Sequence, residues 1–188
     1  MKPGVADGPR PAELQVQFQD AQRVHQLRDE LLDVYADAYA HRLDQPFSTI
    51  PRFWERLEAY ASRGGFSLVT GRVEGELVAY ALGYTLPAGS GWWRGLRSEP
   101  DPELTEEDGA RTFALTEMMV RRTCRRRGYA RALHDALLSH RHESRATLLV
   151  RPDNDAARLA YRSWGWYKVG DLQPFDDAPV FEAMVREL

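Results

Sequence analysis

The sequence predicts a single α/β domain, α+β in some classifications, in which about seven strands are interleaved with four helices. Runs of apolar residues with strand-like spacing recur along the chain, and segments with apolar residues at three- and four-residue steps lie between them. The 188 residues, 43% of them hydrophobic, suffice for one core but not comfortably for two. We therefore expect one domain over residues 13–188, preceded by a flexible, Pro- and Gly-rich tail at residues 1–12.

The first part of the chain predicts an edge strand, two helices and a hairpin. Apolar residues alternate with polar ones over residues 14–18, which indicates the edge strand. Asp20 can cap a helix whose apolar residues recur over residues 24–38, and Pro51 lies in the first turn of a second helix that ends before Gly64-Gly65. Two strand-like runs, 66–70 and 77–86, flank turn residues and predict an antiparallel hairpin.

The second part begins with an inserted loop at residues 87–111, which shows no clear periodicity. Segments of this length without secondary structure are usually functional or flexible. The loop has an aromatic half, Trp92-Trp93, and an acidic half over residues 99–108. It is followed by a strand at 113–120, a helix from Ala130, a strand at 146–150, a helix at 155–164 and strands at 167–172 and 179–185. A free edge at residues 180–185, together with the tryptophans, would allow a homodimer.

Composition excludes several classes of protein. The net charge of −3 argues against coating nucleic acid through overall charge, and the single cysteine, Cys124, excludes an internal disulfide framework. The first 15 residues lack the apolar core of a signal peptide, and no run of about 18 apolar residues occurs, so we expect a cytoplasmic protein without a membrane anchor. No metal-ligand spacing is present, and we expect no metal.

The most informative stretch is residues 113–140, a strand, an arginine-rich turn and a helix in succession. Six arginines fall among residues 121–131, and Gly128 precedes the helix. The first N–H groups of a helix have no partner within it and lie at the positive end of its dipole, so this turn can hold a pyrophosphate. A solvated or nucleic-acid-binding surface is the alternative, but it would not require the glycine, the helix start or the preceding strand.

Two segments resemble a known family. The turn Arg125-Arg126-Arg127-Gly128-Tyr129-Ala130 is similar to the R/Q-x-x-G-x-G/A motif of the GNAT superfamily of N-acetyltransferases. The segment NDAARLAYRSWGW, residues 154–166, resembles the N-x-x-A-x-x-x-Y-x-x-x-G-F segment of that superfamily, with Trp166 in place of the phenylalanine. The order of elements resembles it over nearly the whole chain. The resemblance implies a mixed, mostly antiparallel central sheet with helices on both faces and two splayed strands at its centre.

The resemblance also implies acetyl-CoA as co-substrate. Its pantetheine arm would lie between the splayed strands and pair with main-chain groups of the 113–120 strand, and its pyrophosphate would lie on the arginine turn. Asn154 either contacts the coenzyme or only caps the following helix. The residues expected to bind the coenzyme are Met119, Val120, Arg125, Arg126, Arg127, Gly128, Tyr129, Ala130, Arg131, Asn154 and Tyr161.

Two residues are candidates for proton transfer. By the resemblance, Tyr161 would protonate the departing thiolate; the alternative is an aromatic side chain that packs on the helix face. Glu117 is the only carboxylate of the 113–120 strand and the candidate base. Some family members place the base at the position of Ala114, and a two-residue period turns Glu117 away from that side unless a bulge intervenes. Thr116 could position a water instead.

The sequence and the resemblance together predict an N-acetyltransferase that acts on an unidentified amine by direct attack. Trp92, Trp93 and Thr116 are the candidate acceptor-binding residues, and the acidic half of the loop could attract a cationic amine. Alternatively, the tryptophans fill a core and the acids are solvated. A catalytically weak CoA-binding sensor on the same fold is the second hypothesis, and nucleic-acid binding through the arginine turn is the third.

Overall fold

The computed structural model describes residues 13–99 and 101–188, which form one seven-stranded sheet in the order β1-β2-β3-β4-β5-β7-β6. The strands are β1 (Gln15–Gln19), β2 (Ser67–Val73), β3 (Glu76–Thr85), β4 (Thr112–Val120), β5 (Arg145–Val150), β6 (Tyr167–Leu172) and β7 (Phe181–Glu187). The helices are α1 (Ala21–Gln26), α2 (Arg28–Ala38), α3 (Ile50–Ala61), α4 (Pro102–Thr105), α5 (Tyr129–Leu138) and α6 (Asp155–Ser163). The flexible tail predicted at residues 1–12 lies outside the described residues.

Helices cover both faces of the sheet, as predicted. On one face, α1, α2 and α3 bury Leu31, Tyr35 and Phe53 against β2 and β3. On the other, α5 and α6 bury Leu133 and Tyr161, among others, against the central strands. The apolar spacing that predicted one helix over residues 24–38 belongs to two, α1 and α2, which meet at Leu27.

The sheet opens at its centre between β4 and β5. These two strands run parallel and pair from Thr112 opposite Arg145 to Leu115 opposite Leu148, whereas β4 continues to Val120. Since no β5 residue among those described pairs with β4 beyond Leu115, the main chain of residues 116–120 has a free edge toward β5. The predicted splay is confirmed, and it exposes main-chain hydrogen-bonding groups in the middle of the sheet.

The prediction of a free edge at residues 180–185 is wrong. Strand β7 lies between β5 and β6 and pairs with both. Five consecutive residues of β7, from Phe181 to Val185, are buried, which is typical of an interior strand. The edge strand at this end of the sheet is β6, and part of its edge is covered by a bridge from Leu96 to Leu172.

The segment between β3 and β4 has defined local structure in its described parts, residues 86–99 and 101–111, although its sequence has no periodicity. It contains a 3₁₀ turn, Trp92–Gly95, and the short helix α4. It is tied to the end of β6 by main-chain hydrogen bonds from Arg97 to Asp171 (2.8 Å) and from Gln173 to Gly95 (2.9 Å). Its order therefore comes from tertiary contacts, which a local pattern does not reveal. Within the described chain, none of the helices combines the length and apolar character needed to cross a membrane.

Candidate active site

The start of α5 offers an open set of main-chain donors. Gly128 has a φ of +81°, which favours glycine, and the first helical hydrogen bond runs from Ala132 N–H to the Gly128 carbonyl at 3.0 Å. In the described part of the chain, the N–H groups of residues 129–131 have no acceptor. A Cβ atom at Gly128 would meet no other atom within 4 Å, so the space in front of the helix is open. This geometry suits a bound anion.

Most of the six arginines of the turn are already engaged within the protein. Those with partners are Arg121 with Asp33, Arg122 with Asp37, Arg125 with the carbonyl oxygens of Val120 and Ala38, and Arg131 with Asp135. Arg126 and Arg127 are exposed and form no hydrogen bond or ion pair with the residues that the structure describes. These two side chains are therefore the ones available to a phosphate.

A β-bulge at Thr116 decides the direction of Glu117. Gly83 of β3 pairs with Leu115 and Leu82 pairs with Glu117, so Thr116 is an extra residue on β4. The bulge shifts the alternation by one residue, and Glu117 points to the same side of the sheet as Ala114. Because a bulge cannot be read from residue types, the sequence left the side of Glu117 open.

Thr116 and Glu117 line a cavity of about 530 Å³ on the α1–α3 side of the sheet. Its walls come from α2 and α3, the bulge of β4, residues 87–92 and the connection between β6 and β7. Both splayed strands reach it, because Leu149 of β5 also belongs to the lining. Eight aromatic side chains line the cavity: Tyr35, Tyr39, Phe47, Tyr60, Tyr84, Trp92, Phe175 and Phe181.

The Glu117 carboxyl group is held in a state suited to accepting a proton. Its side chain is 11% exposed, and Oε1 lies 3.8 Å from Nη2 of Arg56. Burial raises the pKa of Glu117 to about 7, since it outweighs the opposing effect of the Arg56 guanidinium. Near neutral pH both protonation states are populated, as a general base requires.

Arg56 is held in turn by its own contacts. Its guanidinium lies 4.0 Å from the centre of the Phe47 ring, and Nη1 donates to the Phe47 carbonyl at 2.7 Å. The sequence analysis missed Arg56 altogether. The available signal was the spacing of Arg52, Arg56 and Arg63, which follows one side of α3 and continues just beyond its end.

Tyr161 lies on the opposite face of the sheet, in the core with Leu148 and Val150 of β5. Trp164 and Trp166 contact it edge-on, with ring centres 5.6 and 6.0 Å away, so the packing role left open by the sequence is real. Burial, followed by the charges of Tyr39 and Glu117, raises the pKa of Tyr161 above its usual value. Tyr161 therefore keeps its proton near neutral pH, as a general acid must.

The remaining coenzyme candidates include a helix cap. Asn154 Oδ1 accepts a hydrogen bond from the Ala157 N–H at 3.2 Å and caps α6, which fulfils one of the two roles considered for it. Met119 is buried against α1–α3, and Val120 packs on the opposite side, so only their main chain faces the splay.

The two tryptophans have different environments. Trp92 is half-buried and lines the cavity. Trp93 is 4% exposed, packs on Leu172, and donates from Nε1 to Glu107 at 2.9 Å. Trp93 therefore does not line the cavity, where the sequence analysis expected it to contact the acceptor, but is part of the core, which was the alternative for the tryptophans.

The acidic half of the loop does not lie at the cavity. None of its six carboxylates, within the part of the chain that the structure describes, belongs to the lining, and Glu107 is buried in an ion pair with Arg145 at 2.9 Å. The predicted attraction of a cationic acceptor by this segment is therefore unsupported. Local sequence could not show that Glu107 and Arg145, 38 positions apart, are partners.

Several solved structures share the fold, whereas no curated protein matches the sequence. A protein of Pyrococcus horikoshii OT3 has a similar structure, with a TM-score of 0.64, 16% identity, and coverage of 93% of this chain and 99% of its own. The ribosomal-protein-S18-alanine N-acetyltransferase of Escherichia coli gives 0.62 and 15%, over 93% and 94% of the two chains. The paia N-acetyltransferase of Thermoplasma acidophilum, solved with coenzyme A, gives 0.57 and 8%, over 94% and 99%.

At these identities the structural matches show a shared fold alone. The family model for the acetyltransferase (GNAT) family matches residues 25–166, which include the bulged strand, the arginine turn and α6. The chain belongs to the GNAT acetyltransferase family.

Proposed function

We propose that the protein is an acetyl-CoA-dependent N-acetyltransferase that acetylates an amine by direct attack, without a covalent enzyme intermediate. The observation that carries the proposal is Glu117, a buried carboxyl group with a pKa of about 7 that the β4 bulge turns into the cavity beside the splay. A buried carboxyl group that titrates near neutral pH and faces a cavity can take a proton from an ammonium group.

The residues present fit acetyl-CoA, which would supply the acyl group as a thioester. Among the described residues, the N–H groups of residues 129–131 and the side chains of Arg126 and Arg127 have no partner, and together they suit the charge of a pyrophosphate. The open edge of residues 116–120 matches an extended amide-containing arm, with Met119 and Val120 contributing main chain. The fold-sharing enzyme of Thermoplasma acidophilum was solved with coenzyme A, which supports the same choice.

Proton movements are assigned to two residues. Glu117 takes a proton from the acceptor ammonium, directly or through a water held by Thr116. Tyr161 holds its proton on Oη and gives it to the departing thiolate. The two lie on opposite faces of the sheet, yet each lies beside the splay where β4 and β5 separate. The acid and the base thus approach the reacting groups from opposite sides.

Turnover tests the proposal directly. The purified protein is incubated with acetyl-CoA and a panel of amines and peptides, and release of free thiol is measured. We expect amine-dependent thiol release with at least one acceptor. Tight binding of acetyl-CoA without thiol release across the panel would instead support a CoA-binding sensor, and DNA binding that weakens steeply with salt would support a nucleic-acid role.

Replacing Arg126 and Arg127 together by glutamine should raise the Kd for coenzyme A about 10- to 100-fold, because two charge-assisted contacts to phosphate are lost. Isothermal titration calorimetry measures the change. The control is Arg23→Gln on α1, an exposed arginine whose side chain, among the described residues, bonds only Gln26. An unchanged Kd in the double variant would contradict the placement of the pyrophosphate at this turn.

Tyr161→Phe should lower kcat by about 10- to 100-fold while the Kd for coenzyme A changes less than threefold, because only the proton donor is removed. Steady-state kinetics and calorimetry provide the two values. If both deteriorate equally, Tyr161 acts through its packing on Trp164 and Trp166, not through its hydroxyl.

A further inference from the structure

His134, in the middle of α5, is a fully buried histidine to which the proposed chemistry gives no role. Its exposed fraction is 0%. Nδ1 lies 2.8 Å from Oδ1 of Asp135, and Nε2 lies 2.9 Å from Nε1 of Trp166. Both ring nitrogens are therefore engaged, one by the next residue of the helix and the other by a residue just before β6. The second contact joins elements that are 32 positions apart in the chain.

Trp166 decides which nitrogen of His134 carries the proton. An indole N–H can only donate, so Nε2 of His134 is the acceptor, and the proton lies on Nδ1, which donates to Asp135. Nη1 of Arg186, on β7, is a second donor 3.4 Å from Nε2. Burial lowers the pKa of His134, which favours the neutral ring that this arrangement needs. The hydrogen bond between Trp166 and His134 thus has a fixed direction.

The same two tryptophans contact both His134 and Tyr161. The ring centre of Trp164 lies 4.7 Å from that of His134 and 5.6 Å from that of Tyr161. For Trp166 the two distances are 5.9 and 6.0 Å. Among the described residues the Tyr161 hydroxyl forms no hydrogen bond, so packing alone sets the direction of the phenol. Because buried side chains are closely packed, a rotation of either indole would move Tyr161.

The acceptor on His134 is needed because residue 166 is a tryptophan. The motif that this segment resembles has phenylalanine here, and phenylalanine has no N–H. Trp166 is 2% exposed, and a buried indole N–H without an acceptor would be costly. Nε2 of His134 supplies that acceptor and thereby fixes the orientation of the indole.

We propose that His134 is a positioning residue for the general acid Tyr161. By accepting the N–H of Trp166 and packing on Trp164, it holds the two indoles that set the direction of the phenol. This inference rests on the proposed acetyltransferase function and adds a residue to the same site. The alternative is that His134 only stabilises the core.

Two replacements of His134 separate its hydrogen bond from its packing. Glutamine keeps an acceptor oxygen at about the reach of Nε2, whereas leucine fills the space and offers no acceptor. We expect kcat to fall about tenfold or more in His134→Leu and less than threefold in His134→Gln, while the Kd for coenzyme A changes less than threefold in both. His140→Leu, an exposed histidine beyond the end of α5, is the control. A wild-type kcat in His134→Leu, or equal losses of kcat and of coenzyme affinity, would overturn the inference.

Two backgrounds test whether the effect runs through Trp166 to Tyr161. In Trp166→Phe no indole N–H needs an acceptor, and in Tyr161→Phe the positioned hydroxyl is gone. We expect His134→Leu to change kcat less than threefold in either background. A loss of kcat as large as in the otherwise wild-type protein would overturn the inference and leave the acetyltransferase function standing.

A spectroscopic measurement follows Tyr161 without turnover. The protein is labelled with fluorotyrosine, and fluorine NMR identifies the Tyr161 resonance by its absence in Tyr161→Phe. We expect this resonance to shift in His134→Leu and to keep its wild-type position in His134→Gln. If His134→Leu does not fold, His134→Asn, whose shorter amide does not reach the indole, takes its place in every comparison.

The outcomes separate this inference from the proposed function. An unmoved Tyr161 resonance in His134→Leu would overturn the inference, whatever the rate of turnover. Absence of thiol release from the wild-type protein with every amine would overturn the function itself, and with it the role of Tyr161 that the inference requires.

Discussion

Glu117→Gln should lower kcat/KM at pH 7 by about 100-fold or more, the usual contribution of a positioned general base. Glutamine keeps the size of the side chain and its place on the bulged strand, but it cannot accept a proton from an ammonium group. The Kd for coenzyme A should change less than threefold, because the coenzyme contacts that we propose involve main chain at the splay and the start of α5, not the Glu117 side chain. Steady-state kinetics with the best acceptor and calorimetry with coenzyme A measure the two effects.

The pH dependence provides the sharper test of Glu117. A base must be ionised to act, and burial raises the pKa of this carboxyl group to about 7, so activity should be low below that pH and rise through it. The Arg56 guanidinium lowers the pKa of Glu117 and so acts against the effect of burial. The phenols near Glu117 stay neutral in this pH range; they belong to Tyr35, Tyr39, Tyr60, Tyr80 and Tyr161. In the Glu117→Gln variant, the pH–rate profile should lose the limb near pH 7, that is, the rise of activity with pH in this range.

Glu55→Gln is the matched control for this experiment. Glu55 also lines the cavity, but its side chain is 66% exposed and pairs with Arg52 at 3.5 Å, so it shares the cavity with Glu117 but not its burial. Its replacement should leave the limb near pH 7 in place. If Glu117→Gln keeps both its rate and that limb, the proton leaves through water held at Thr116, and Glu117 is only a buried partner of Arg56.

The parts of the molecule that follow from local residue patterns could be predicted. The αL glycine, the helix start behind it and the Asn154 cap depend on residues within a few positions of one another, and each lies where the sequence predicts. Their assignment to a coenzyme remains a prediction, since only ligand binding can test it.

The parts that depend on distant contacts could not be predicted. The bulge at Thr116 arises from the pairing of β4 with β3, and it alone decides that Glu117 faces the cavity. Trp92 and Trp93 are adjacent and identical in type, yet one lines the cavity and the other is buried because Glu107 accepts its N–H. The edge of the sheet was likewise misplaced, because strand order depends on pairing partners that residue types do not specify.

Glu107→Ala should lower the free energy of unfolding by about 3–5 kcal/mol, because it leaves a buried charge without its partner. Glu107 Oε1 accepts from Trp93 Nε1 at 2.9 Å, Thr112 Oγ1 at 3.0 Å and Arg145 Nη2 at 2.9 Å. The Glu107 side chain is fully buried, and that of Arg145 is 5% exposed. For a chain of this length the loss corresponds to a decrease in Tm of about 10 °C, measurable by calorimetry. Glu103→Ala, an exposed acid of the same segment, should change Tm by less than 2 °C.

Glu107→Ala should also change the cavity, because Glu107 anchors the segment in which Trp92 lines the cavity. We expect Glu107→Ala to raise the KM for the acceptor more than the Kd for coenzyme A, whose proposed contacts are at the open edge of β4 and the start of α5. A double variant, Glu107→Leu with Arg145→Met, removes both charges and should lose less stability than Glu107→Ala alone, since no buried charge is left unpaired. The free energy of unfolding lost by the double variant is compared with the sum of the losses in Glu107→Leu and Arg145→Met alone. If the two values are equal, Glu107 and Arg145 stabilise the protein independently, and their ion pair does not couple the loop to the sheet.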